Sequence, residues 1–100
     1  MALSRRQMEI TNTLGFHPRA ASQFVQLSRQ FHAEVRVSCN GRAADGRSIL
    51  DLMMLAAECG TPLEVEVSGA EAAEATAALC ALIESRFHED EDGRAERPGS

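Results

Sequence analysis

One stretch near the start of the chain, Gly15-Phe16-His17-Pro18-Arg19-Ala20-Ala21, combines residue types that suit an anion-binding site. Proline is favoured at the first position of a helix, so Pro18 predicts a helix with His17 as its N-cap. The backbone N–H groups of Arg19 and Ala20 then point out of the helix end. There the helix dipole and a guanidinium favour a phosphate-sized anion, and a largely neutral imidazole can act as a nucleophile. A surface histidine that merely precedes a helix is the alternative, and the stretch alone leaves both interpretations open.

A second candidate lies around Ser48, ahead of a later apolar segment. Asp51 follows three residues on, which is close to a capping box, so Ser48 is expected to cap a helix there. Gly60 is expected to end that helix. A serine at a helix start is usually only a cap, so a role beyond capping requires further support.

The helix after Ser48 is apolar on almost every side. A surface helix needs only one buried stripe, and this stripe is predicted to consist of Leu52, Leu55 and Ala56. Ile49 and Met53, four residues apart, then face solvent. An exposed apolar patch usually marks a surface for a partner protein. Deeper burial of the whole helix is the alternative, since short apolar segments are ambiguous.

The elements that must position these residues follow from hydrophobic periodicity. Alternating apolar residues predict strands over residues 6–11, 34–39, 42–44 and 63–68, and Asn40-Gly41 predicts a hairpin between the second and third. Helical spacing predicts a first helix from Ala20 and a third, Ala-rich helix opened by a capping box from Ser68 to Glu71. The order β-α-β-β-α-β-α indicates one antiparallel or mixed sheet with helices on its one apolar face.

Composition places these elements in a single domain with a charged tail. The chain has 100 residues, a net charge of −5 and no lysine. Residues 89–100 contain five acids against two arginines and are expected to be a disordered tail after a domain over residues 1–88. The domain has no basic stripe that could follow a nucleic-acid backbone, so nucleic acid is not an expected partner.

Cysteine spacing and hydropathy indicate which classes of protein can be set aside. Cys39, Cys59 and Cys80 are odd in number and widely spaced, which predicts reduced, mostly packed thiols and neither a metal nor a cofactor. No apolar run approaches the ~18 residues of a membrane span, and no signal-peptide pattern opens the chain. A soluble, cytoplasmic protein without membrane insertion is expected.

With these features in register, the chain resembles the HPr family, the histidine-containing phosphocarriers of the bacterial sugar phosphotransferase system. The resemblance covers residues 6–87 and rests on Gly15-Phe16-His17, Arg19, residues 21–25, the Asn40-Gly41 hairpin and Ser48-Ile49. It implies an α+β fold, an open-faced two-layer β-sandwich with a four-stranded antiparallel sheet and three helices on one face.

The resemblance also implies a function. His17 would accept a phosphoryl group through Nδ1 from enzyme I, which takes it from phosphoenolpyruvate, and would pass it to enzyme IIA domains. Arg19 would steady the phosphate with the backbone N–H groups of Arg19 and Ala20, and Ser48 would be a regulatory phosphorylation site for a serine kinase/phosphatase. The carrier has no independent turnover, and a monomer is expected.

The partner surface implied for this carrier comprises Phe16, Ile49, Leu50 and Met53. The alternative function is a non-phosphorylated regulatory module that binds proteins through Ile49 and Met53.

One departure from the family pattern concerns the phosphate donors. The family usually reads His-x-Arg-Pro, whereas here Pro18 precedes Arg19 and Ala20 takes the usual place of the proline. Anion binding is expected to survive with a shifted set of N–H donors.

Overall fold

The computed structural model describes residues 2–12, 14–55 and 57–88. The described elements are β1 (Ala2–Glu9), α1 (Pro18–Ser28), β2 (Glu34–Cys39), β3 (Arg42–Asp45), α2 (Ile49–Met54), β4 (Pro62–Gly69), α3 (Ala72–Glu84) and a short final turn (Arg86–His88). The prediction of a disordered tail concerns residues 89–100, which lie outside the described residues, as does Ala56 of the predicted stripe.

The four strands form one antiparallel sheet in the order β1-β4-β2-β3. Alternation places the valines of β2 and β4 on one face, and Val37 lies opposite Val65 in the register. Both valines are fully buried. The other face is polar, and there Arg5 donates hydrogen bonds to the carboxylate of Glu66, its partner across the strands. This division into one apolar and one polar face confirms the predicted open-faced α+β sandwich.

The helices cover the apolar face of the sheet. Helix α3 packs on β1 and β4, and α1 packs against both α2 and α3. The largest fully buried side chains include Phe24 of α1 and Phe87 of the final turn. Together these contacts form one core, and the loop that enters α1 lies at its edge.

The turn at Asn40-Gly41 has the predicted hairpin geometry. Both residues have positive φ, 51° and 79°, and two consecutive positive φ angles define the turn type that matches the twist of paired strands. In this turn Asn and Gly are favoured because they tolerate the left-handed region. The hairpin prediction is confirmed.

Three local predictions were wrong. β1 begins at Ala2, four residues earlier than predicted, because it pairs along the whole length of β4. α2 ends at Met54 and not at Gly60, because the following residues bond to the loop that enters α1. Ser68 does not cap α3, since it lies within β4, and Glu71 is the N-cap and accepts a hydrogen bond from His32 N–H at 2.6 Å.

The three thiols are free, with Cys39 and Cys80 buried and Cys59 exposed. Burial raises the pKa of both buried thiols. Within residues 2–12, 14–55 and 57–88, no cluster of three or more His, Cys, Asp or Glu side chains is arranged to hold a metal ion. None of the helices in this part of the chain is long and apolar enough to cross a membrane.

Candidate functional site

His17 is the N-cap of α1, as predicted. Its backbone is extended, with φ −74° and ψ 172°, and Pro18 occupies the first helical position. The carbonyl of His17 accepts the first helical hydrogen bond, from Ala21 N–H at 2.9 Å. The side chain is half-buried and makes no capping bond to the helix. The imidazole therefore stands at the positive end of an eleven-residue helix.

Arg19 and Ala20 follow in the first turn of the same helix. Their N–H groups precede the first bond of the helix, which starts at Ala21, so no carbonyl of the helix accepts from them. The Arg19 side chain is exposed, whereas the methyl group of Ala20 is fully buried. The structure thus places His17 at the N-cap and Arg19 in the first turn of α1, as the sequence predicted.

The loop before His17 is held by the segment that follows α2. Phe16 N–H donates to the Ala57 carbonyl at 3.1 Å, and Gly60 N–H donates to the Ile10 carbonyl at 2.7 Å. Gly15 has φ +65°, and a Cβ placed there would lie 2.1 Å from the Ala57 oxygen. Only glycine therefore fits at this position without a backbone shift.

Asn12 is a buried polar residue of this loop that the sequence reasoning missed. It is fully buried, and its Nδ2 donates to the Gly15 carbonyl at 2.8 Å. The sequence offered one weak signal, since Asn is favoured in turns. That signal does not reveal burial.

Phe16 does not lie where the sequence prediction placed it. It was predicted to belong to the partner surface, but its side chain is only 5% exposed. Its ring makes an edge contact with Phe24, with centroids 5.6 Å apart, and packs against Phe87 on another side. Phe16 therefore supports the loop from the core and presents almost no surface to a partner.

Ser48 caps α2, as predicted. Its Oγ accepts a hydrogen bond from Asp51 N–H at 3.2 Å. The capping box is only half made, because the Asp51 carboxylate accepts from Asp45 N–H at 3.2 Å instead of from Ser48. Ser48 N–H donates to the Asp45 carbonyl at 3.0 Å. Ser48 is half-buried, so its hydroxyl lies near the surface.

The apolar residues of α2 divide as the sequence predicted. Leu52 and Leu55 are buried, at 0% and 5% exposure, whereas Ile49 and Met53 are 40% and 38% exposed. The exposed set is larger than Ile49 and Met53 alone. Leu50 and Met54 are both more than 60% exposed, and so is Leu14 in the loop before His17. We call Ile49, Leu50, Met53 and Met54 the α2 patch.

His17 and Ser48 lie at opposite ends of a helix pair. The residue before Ser48 accepts a hydrogen bond from Arg29 at the end of α1, at 3.2 Å, whereas Ala57 beyond α2 bonds to Phe16 at the start of α1. The two helices therefore run in opposite directions, and α1 is about 16 Å long. The α2 patch lies along the α2 side of this pair, between the two ends.

Comparison with known proteins agrees with this geometry. Residues 4–85 match the family model described as the PTS HPr component phosphorylation site. The chain is 47% identical over 87 residues to phosphocarrier protein HPr of Neisseria meningitidis serogroup A, covering 87% of this chain and 98% of that protein. It is 40% identical over 87 residues to phosphocarrier protein NPr of Escherichia coli K12, covering 86% and 97%.

Among solved structures, HPr-C-His from Thermoanaerobacter tengcongensis superposes with a TM-score of 0.83 at 32% identity, covering 86% of this chain and 97% of that one. The similarity in sequence and fold extends over nearly the whole described domain. The family model that matches is one defined around a phosphorylation site, and its span includes both His17 and Ser48. The chain belongs to the HPr family, the phosphocarrier proteins of the bacterial phosphotransferase system.

Proposed function

We propose that this protein accepts a phosphoryl group on His17 from phosphorylated enzyme I and passes it to enzyme IIA domains in the cytoplasm. One observation carries this proposal. His17 is the N-cap of α1, with Pro18 and the exposed Arg19 immediately after it. A half-buried imidazole at a helix N-terminus, with an arginine two residues further along the chain, is suited to hold a phosphoryl group.

The transfer itself uses the lone pair of a neutral imidazole. In acceptance, Nδ1 of His17 forms a bond to phosphorus while the bond from phosphorus to the donor breaks. In delivery, the N–P bond breaks as the acceptor's nucleophile attacks phosphorus. Phosphoryl transfer requires mainly positioning and neutralisation of charge. Arg19 and the N–H groups of Arg19 and Ala20 supply that neutralisation from this chain.

The partners dock on the α2 patch beside the helix end. Four large apolar side chains exposed on one six-residue helix are unusual on a small monomer, and such patches usually mark protein contacts. Two of them are methionines, whose flexible side chains adapt to partners of different shape. We assign enzyme I and enzyme IIA domains to this surface and a monomer to the free carrier.

Ser48 is the proposed regulatory site, for a serine kinase/phosphatase. A phosphate on its Oγ adds up to about two negative charges next to the α2 patch. Ser48 and His17 lie at opposite ends of the helix pair, and α1 between these ends is about 16 Å long, roughly two Debye lengths at physiological ionic strength. The modification therefore acts on docking and has little direct effect on the charge at His17.

The decisive experiment incubates the protein with labelled phosphoenolpyruvate and enzyme I and measures acid-labile phosphate. The wild type is expected to take up one phosphate, and His17→Ala none. His32→Ala is the matched control, because the His32 side chain is exposed and the bonds of His32 to Glu71 are made by its backbone. Equal labelling of the wild type and His17→Ala contradicts the proposal.

The same experiment tests the alternative function. A non-phosphorylated binding module would take up no label and would still bind a partner protein through Ile49 and Met53. Arg19→Ala separates the two further, because it is expected to slow labelling about tenfold or more without weakening contacts of the α2 patch.

A further inference from the structure

Asn12 is one of three buried polar side chains in the described part of the chain, with Ser28 and Thr76. Ser28 and Thr76 donate to carbonyls four residues earlier in their own helices, at 2.9 and 2.7 Å, which is ordinary local bonding for hydroxyl side chains. Asn12 differs because it lies in an irregular loop and donates forward to the Gly15 carbonyl at 2.8 Å.

The bond made by Asn12 and a bond made by Ala57 act on one peptide unit. The Gly15 carbonyl and the Phe16 N–H belong to the same planar group. Asn12 Nδ2 donates to the Gly15 oxygen of this group at 2.8 Å, and the Phe16 N–H of the group donates to the Ala57 carbonyl at 3.1 Å. With both ends held, the plane of this peptide cannot rotate without breaking a hydrogen bond.

This peptide joins the two residues that directly precede His17. On the C-terminal side, the carbonyl of His17 accepts a hydrogen bond from Ala21 N–H at 2.9 Å. The Phe16 ring between them is buried against Phe24 and Phe87. The backbone of His17 is therefore held on both sides, by the bonds to the Gly15–Phe16 peptide and by the bond from Ala21 N–H.

We propose that Asn12 is a positioning residue for phosphoryl transfer: by fixing the Gly15–Phe16 peptide it aims the His17 imidazole at the phosphorus atom. This role rests on the proposed function of His17. Reactions that depend on approach geometry lose about a hundredfold in rate for a misplacement of about 1 Å. Phosphoryl transfer is such a reaction, because positioning supplies much of the catalysis.

The test measures kcat and KM of enzyme I with each carrier variant as its phosphoryl acceptor. Asn12→Ala removes the donor, and Asn12→Asp keeps the side-chain shape but places a carboxylate oxygen against the Gly15 carbonyl. Thr76→Val is the matched control, because it removes one buried side-chain-to-backbone bond in α3. We expect both Asn12 variants to lower kcat about tenfold or more and to leave KM within about twofold. Thr76→Val leaves both values unchanged.

A second measurement separates loop order from global stability. In amide NMR spectra of Asn12→Ala, the signals of Phe16 and His17 are expected to shift or broaden, while those of β2 and β4 stay in place. Urea unfolding of all variants identifies conditions in which each is fully folded. The rates are compared only under these conditions.

Each other outcome overturns the inference in its own way. A kcat for Asn12→Ala equal to that of Thr76→Val shows that the bond does not position the imidazole. A change confined to KM shows a docking effect, and failure of both Asn12 variants to fold shows a structural role only. If the wild type takes up no phosphate on His17, the proposed function itself fails. If the wild type and both Asn12 variants take up phosphate at the same rate, only the role of Asn12 fails.

Discussion

The ring of Phe87 lies against the ring of Phe16, with centroids 5.4 Å apart and planes inclined by 55°. Phe16 directly precedes His17, and Phe87 lies in the final turn Arg86–His88. All three residues of that turn have positive φ, between 54° and 60°, a conformation that costs a residue with a side chain about 1–2 kcal/mol. Burial of the Phe87 ring, which is 1% exposed, offsets this cost.

Phe87→Ala is expected to lower the free energy of unfolding by about 3–5 kcal/mol, because it removes a fully buried ring and leaves a cavity. Urea unfolding measures the loss. Leu3→Ala is the control, since Leu3 is 60% exposed on β1, and exposed substitutions usually stay within about 0.5 kcal/mol. A loss for Phe87→Ala no greater than that for Leu3→Ala would show that the ring contact contributes little. Phosphoryl acceptance at His17 should slow as well, because Phe16 loses its support.

Two substitutions of Ser48 separate its capping role from the effect of a negative charge at this position. Ser48→Ala removes the bond to Asp51 N–H and is expected to cost about 1 kcal/mol of stability. It should leave phosphoryl acceptance from enzyme I nearly unchanged. Ser48→Asp keeps an N-cap oxygen and adds a charge beside the α2 patch, so stability is retained while the KM for enzyme I rises severalfold. Equal KM values for the two variants would contradict a regulatory role for charge at this position.

Exchanging the proline position tests the shifted donor set. Pro18→Ala with Ala20→Pro replaces the N–H of Ala20 by one at residue 18 and leaves that of Arg19. Phosphoryl acceptance is expected to stay within about threefold, because two donors remain at the helix end. The buried Ala20 methyl group means that the larger proline ring lowers stability by about 1–3 kcal/mol. Rates are therefore measured where urea unfolding shows the variant to be folded. A rate loss beyond tenfold under those conditions refutes the compensation.

The two buried thiols predict a dependence of stability on pH. Burial raises the pKa of Cys39 and of Cys80 above the ordinary value of 9.0. Below that value the thiols are protonated in both the folded and unfolded states. As the pH rises from there toward the folded-state pKa values, the unfolded chain releases protons that the folded chain keeps, so the free energy of unfolding falls.

Urea unfolding between pH 7 and pH 10 measures this slope. Cys39→Ala with Cys80→Ala should make it shallower, whereas Cys59→Ala, at an exposed position, should leave it unchanged. Iodoacetamide should label the native protein at Cys59 and label all three thiols only after unfolding. Fast labelling of Cys39 in the folded protein would contradict its burial.

Local patterns were enough to predict the strands, the hairpin and the helix start at His17, whereas the phosphoryl-acceptor role of His17 was implied by the resemblance to the HPr family. Val35 and Val37 alternate with polar residues, Asn40-Gly41 tolerates positive φ, and Pro18 starts a helix. Each of these signals depends on neighbours in sequence. The exposure of Ile49 and Met53 was one of the two alternatives that the sequence offered, because a short helix on a sheet buries only one stripe, whereas the exposure of Met54 was not predicted.

Long-range contacts explain what local patterns could not predict. Phe16 reads as an apolar residue beside a site, and only its contacts with Phe24 and Phe87 show that it faces the core. α2 is shorter than its sequence suggests because Ala57 bonds to Phe16 across the fold. Asn12 is polar in a loop, and its burial depends on how two distant loops pack. None of these pairings has a periodic signature in the chain.

The position of His17 at the end of one helix has a consequence for the order in which partner proteins can bind this carrier. If the donor and the acceptor both use His17 and the α2 patch, as proposed, they cannot bind at the same time. The carrier must then leave one partner before it binds the next. A mutation that tightens either complex is therefore expected to slow release from that partner.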